Sequence, residues 1–84
     1  MELTYAETRE WIEKMLGSDV LDKEELLKFH RQIEVYNAHK IIAKQMDRNM
    51  MDVEFFLRSA IYLIDAGDQK LQLKAALGIL KNWF

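Results

Sequence analysis

An all-α fold, a small bundle of about four helices, is what three observations on this sequence predict. There is no proline and there are only three glycines. Valine and threonine are scarce, which disfavours sheet. Apolar residues recur at three- and four-residue spacing in stretches that begin at capping residues. With 84 residues, half of them hydrophobic, the chain can build one compact core over 1–84 but not two. With 31% charged residues it should fold rather than stay disordered.

The first helix begins at Thr4, where Thr4 and Glu7 make a capping-box pattern, and stops at Gly17. Tyr5, Trp11, Ile12, Met15 and Leu16 fall on one side at about 100° per residue, with Glu10, Glu13 and Lys14 opposite. A second, long helix begins near Asp22 and can run to about Arg48. Its apolar stripe changes side on the way. Leu26, Phe29, Ile33 and Tyr36 line one face of its first half, whereas Val35, Ala38, Ile42 and Met46 lie nearly opposite. Either the chain kinks near Asn37, or one long helix buries opposite sides against different neighbours. No glycine or proline forces a stop, which favours the continuous helix.

The third helix is expected from Asp52 as N-cap to about Ala66, with Gly67 as the residue past its end. Val53, Phe56, Leu57, Ala60, Ile61, Leu63 and Ile64 give it a broad apolar arc, edged by Glu54 and Arg58 as an i,i+4 pair. Asp68 then caps a fourth helix carrying Leu73, Ala76, Leu77, Ile79, Leu80, Trp83 and Phe84, with Lys70, Lys74, Lys81 and Asn82 exposed. Gly78 inside that helix costs about 1 kcal/mol relative to alanine, which predicts close approach of another helix.

The segment LIDAGDQKL, residues 63–71, raises the question of a DNA-reading helix-turn-helix. Such a motif wants a small residue four before its turn glycine and an apolar one just after it. Leu63 and Asp68 stand there instead. An αα-hairpin joined by a short Gly-Asp turn fits better.

Several chemistries lose their residues. The absence of cysteine removes a disulfide framework, a thiolate zinc site and a cysteine nucleophile together. His30, Glu34 and Asn37 share one side of a helix, but no convincing third metal ligand accompanies them, and His39 projects elsewhere. Ser18 and Ser59 sit in no nucleophile elbow, and there is no glycine-rich phosphate loop. The expectation is a protein without catalytic residues, metal or cofactor. The N-terminal MELTYAETREW carries early acids and no apolar run, unlike a secretory signal, and no stretch approaches the length of a membrane span. The expected location is the cytoplasm.

What remains is binding. Met46, Met50, Met51 and Phe55 crowd one stretch, QMDRNMMDVEFF, together with Phe56. Methionine and phenylalanine can fill a core, and they also make adaptable partner-binding surfaces. Lys40, Lys44 and Arg48 form a basic stripe that either complements a helix C-terminus or meets phosphates or an acidic partner, with Asp47 weakening it. Broad apolar arcs on helices three and four exceed what one small core can cover, which predicts a homodimer. Its interface is expected at Leu80, Trp83 and Phe84, or on the Val35–Ile42 side, with the first set favoured. The leading function is a non-enzymatic protein–protein interaction module, a small regulator or inhibitor that self-associates. The alternative is a DNA-associated transcriptional regulator using a basic helix face. The formal charge of −2, from 12 basic and 14 acidic side chains, gives that alternative no help.

Overall fold

The computed structural model describes residues 3–18, 22–63 and 69–81, which form four α-helices and, among the described residues, no strand. Helix α1 spans Tyr5–Leu16, α2 Lys23–Ile42, α3 Arg48–Tyr62 and α4 Gln69–Lys81. The helical bundle expected from the spacing is the observed architecture.

Two of the expected caps are in place. The Thr4 hydroxyl accepts from the Glu7 amide at 3.1 Å, satisfying one of the free donors at the start of α1. The Asp22 carboxylate accepts from the Glu24 amide at 3.0 Å and opens α2. Gly17 ends α1, as expected, although its backbone stays right-handed.

The α2–α3 boundary differs from the expectation, for reasons the hydrogen bonds make plain. Helix α2 continues unbroken through Asn37 but ends at Ile42, not near Arg48. Beyond it the Gln45 amide donates to the Lys40 carbonyl at 2.8 Å and the Lys44 amide to the Ile41 carbonyl at 3.0 Å. Those two bonds are the Schellman pattern, and they put Lys44 at the position that needs a left-handed backbone, with φ of 58°. Asp47 then caps α3, its carboxylate accepting from the Met50 amide at 3.1 Å. Asp52, the cap expected from the sequence, lies inside the helix on its exposed side. At the far end α3 closes with the Leu63 amide on the Ser59 carbonyl at 3.0 Å. The expected extension to Ala66, the Gly67 turn and the Asp68 cap fall outside the described residues.

The helices form a ring. Helix α3 packs against both α2 and α4, and α1 packs against α4. The ring closes between α1 and α2 where Trp11 stacks on Phe29, with centroids 4.0 Å apart and planes 15° from parallel. One core fills the middle: Ile12 and Met15 from α1, Leu26, Phe29 and Ile33 from α2, Met50, Val53, Leu57 and Ala60 from α3, and Leu73, Ala76, Leu77 and Leu80 from α4. Two expectations fail against this arrangement. Among the described residues the second stripe of α2 is not buried by a neighbouring helix, because the packed helices gather on its Leu26–Ile33 side. Val35, Ala38, Ile42 and Met46 are all exposed. Gly78 is also exposed, and among the described residues a methyl group built there would meet nothing within 4 Å, so no described helix approaches it closely.

Candidate functional site

The residues with most to offer a partner lie around the outer face of α2. On a 100° per residue wheel, Val35, Ala38 and Ile42 point opposite to the buried Leu26, Ile33 and Asn37. Val35 is 56% exposed and Ile42 80%. Large apolar side chains this open cost hydration on the monomer, so the face is available for burial.

Two grooves flank this ridge. On the α3 side, Ala38, Ile41, Met51 and Phe55 form an apolar strip edged by Glu34, Glu54 and Arg58. Phe55 meets Phe56 edge to face at 5.6 Å, and the Arg58 guanidinium lies 5.8 Å from the Phe55 ring centre. On the other side, the second groove is lined by Leu3, Arg31, Gln32, Val35, Tyr36, His39 and Lys40.

Beneath the ridge, polar contacts hold α2 to α3. The buried Asn37 amide donates to the Met50 carbonyl at 3.1 Å. His30, also buried, sets Nδ1 3.1 Å from Glu34 and Nε2 3.6 Å from Glu54. Glu34 shares the side of α2 on which His30 lies, whereas Glu54 approaches from α3. Among the described residues no group of three or more metal-ligating side chains comes together.

The strongest polar cluster centres on Asp47. Tyr5 donates its hydroxyl to both carboxylate oxygens at 2.6 and 2.8 Å, and Tyr36 donates at 2.9 Å. Burial pushes the Asp47 carboxyl up, but hydrogen bonds from Tyr5, the Met50 amide and Tyr36 outweigh it and hold the carboxyl below its ordinary value. Burial and the neighbouring carboxylate push the Tyr5 phenol well above its ordinary value. The cluster joins the start of α1, the middle of α2 and the start of α3. Its chemistry is that of a clasp.

The side chains singled out from the sequence are dispersed. Met50 is fully buried and Leu80 likewise, so the first belongs to the core rather than to a partner-binding surface and the second to the core rather than to a dimer interface. Met46 is 56% exposed but sits on the Tyr5–Tyr36–Asp47 side. Only Met51 and Phe55 of the expected patch remain together, on the α2–α3 groove. Trp83 and Phe84 lie outside the described residues. The basic stripe is broken as well: Lys40 is on α2, Lys44 in the left-handed turn and Arg48 on α3. Lys40 and Arg48 line a shallow recess that also contains Asp47.

The Arg31–Lys40 groove and the Asp47 clasp went unread in the sequence. The clasp had a signal, two tyrosines whose hydroxyls need an acceptor when half-buried, but no spacing rule joins residues 5 and 47. No helix among the described residues is long and apolar enough to cross a membrane. No family model, curated protein or solved structure matches the chain.

Proposed function

We propose that this chain is a non-enzymatic protein–protein interaction module that self-associates and acts as a small regulator through the outer face of α2. The observation that carries the reading is the uncovered apolar ridge of Val35, Ala38 and Ile42, continuous with Ile41 and Phe55 across the α3-side groove. Positions 35, 38 and 42 follow the three-four spacing of a helix–helix seam. A two-fold axis through Ala38 would cross two copies of α2 where the side chain is smallest, setting Val35 of each against Ile41 and Ile42 of the other. One patch then serves both copies.

The exposed ridge and strip hold Val35, Ala38, Ile41, Ile42 and Phe55, far fewer than the roughly 20–30 residues per side of a standard interface. Self-association should therefore be reversible and weak, with a dissociation constant on the order of micromolar or above. Sedimentation equilibrium from micromolar to near-millimolar concentration tests it. The parent chain should shift reversibly from monomer to dimer, and Ile42→Asp should remain monomeric with an unchanged far-ultraviolet spectrum. A parent chain that stays monomeric across the whole range would overturn the reading.

A further inference from the structure

The groove on the far side of the α2 ridge is lined by cations, although Arg31 also borders a recess with Asp22, Glu24 and Glu25. The groove has a volume of about 610 Å³, and its walls are Leu3, Arg31, Gln32, Val35, Tyr36, His39 and Lys40. Leu3, Val35 and the Tyr36 ring supply an apolar floor. Arg31 and Lys40 supply cations, and His39 and Gln32 supply further hydrogen-bonding groups. Among the described residues no carboxylate lines it, although acids outnumber bases in the chain, 14 to 12. The α3-side groove, by contrast, carries Glu34 and Glu54 against Arg58 and selects no sign of charge.

Geometry narrows the occupant further. Arg31 and Lys40 are nine residues apart on one helix, about 13 Å along its axis and half a turn around it, so they mark opposite rims of the groove. The Lys40 ammonium lies 5.4 Å from the Tyr36 ring centre, its stem along the aromatic and its charge at the groove edge. A bare polyanion would leave the apolar floor unused, and an uncharged apolar segment would leave two cations unpaired at the rim. A peptide that crosses the groove with an apolar side chain at its centre and a carboxylate at each rim uses both.

We propose that the groove between Leu3 and the outer side of α2 binds an acidic peptide segment, an apolar side chain resting on Val35, Tyr36 and Leu3 and carboxylates meeting Arg31 and Lys40. This rests on the reading of the chain as an interaction module, but not on its self-association. Rim charges govern association rate and salt dependence more than residence, so binding should weaken as salt rises through the Debye screening range.

The test is fluorescence anisotropy with a fluorescein-labelled dodecapeptide in which glutamates flank a central leucine pair. Two control peptides replace the glutamates by glutamine or the leucines by serine. The parent chain should bind the first peptide saturably and both controls at least about tenfold more weakly, a difference of about 1.4 kcal/mol. Arg31→Glu with Lys40→Glu, two exposed or half-exposed substitutions that leave the core untouched, should cost about tenfold or more with the helical spectrum unchanged. Equal binding of either control, or no effect of the paired charge reversal, overturns the proposal. So does displacement of the peptide by a short DNA duplex at equal or lower concentration, which would mark a general polyanion surface. Val35 belongs to both surfaces, so the anisotropy is read at protein concentrations where sedimentation shows monomer; there, absence of peptide binding overturns this groove alone, and peptide binding by a chain monomeric at every concentration overturns self-association alone.

Discussion

Replacing Asp47 with alanine removes the acceptor for three donors at once: the Met50 amide at the start of α3, the Tyr5 hydroxyl and the Tyr36 hydroxyl. Loss of an N-cap costs about 1 kcal/mol. A hydrogen bond to a charged group contributes about 1.5–3 kcal/mol when buried. Tyr5 and Tyr36 are only partly buried and can recover water, which reduces each to about 1 kcal/mol. The sum, about 3 kcal/mol, should lower the melting temperature by about 15 °C in a domain of this size. Tyr5→Phe should cost about 1 kcal/mol in the parent and close to nothing in the Asp47→Ala background. The pH dependence has a definite sign. The folded state holds the Asp47 carboxyl below its unfolded value, so its contribution is complete above about pH 4 and is lost as pH falls through the folded value. The gap between the parent and Asp47→Asn should therefore close in acid. Tyr5 has the opposite sign: its phenol is raised, so its contribution holds below about pH 10 and fails as pH rises further. Thermal melts by circular dichroism from pH 2 to neutrality read the acid limb. An Asp47→Ala melt within about 0.5 kcal/mol of the parent, or a Tyr5→Phe cost equal in both backgrounds, would refute the clasp.

Three further substitutions follow from the same structure. Lys44→Gly should stabilise by about 1 kcal/mol, since φ of 58° strains a side chain and not a glycine; an unchanged or lower denaturation midpoint in urea would count against the Schellman turn. Gly78→Ala should also stabilise, by about 0.5–1 kcal/mol, because among the described residues nothing lies within 4 Å of the added methyl, and a lower melting temperature would mean a neighbour occupies that side. Asn37→Asp would set a carboxylate against the Met50 carbonyl in a buried position, costing about 2 kcal/mol or more at pH 7 and less at pH 4; equal stability at both values would remove Asn37 from the α2–α3 joint.

The elements that sequence made legible are those whose signals are local. Thr4 and Asp22 lie within three residues of the amides they cap, and the stripe Leu26, Phe29, Ile33 follows one helical period into the core. The α2–α3 joint was not legible. Lysine is a poor advertisement for a left-handed turn, so nothing at Lys44 announces the end of α2. Asp47 and Asp52 are equally good caps by composition. What separates them is the need of Tyr5 and Tyr36 for an acceptor, 42 and 11 residues away. With that joint misplaced, Lys40, Lys44 and Arg48 read as one helix face, and Val35, Ala38 and Ile42 as a stripe awaiting burial. Periodicity identifies which residues share a side; it carries no information about whether a neighbour arrives to cover that side.

The separation of Met46, Met50 and Met51 into three surroundings has a consequence for oxidative chemistry. Met46 is 56% exposed and Met50 fully enclosed, four positions along the chain. Dilute peroxide can add oxygen to the Met46 thioether without disturbing the core, and a reductase can remove it again. Met50 can be reached only when α3 opens, and its sulfoxide, polar and larger, would hinder α3 from closing again. The ratio of the two oxidation rates is then a built-in gauge of how often α3 opens, readable by peptide mass spectrometry without any label. An exposure that is harmless for the folded chain becomes a lasting lesion only in molecules caught open.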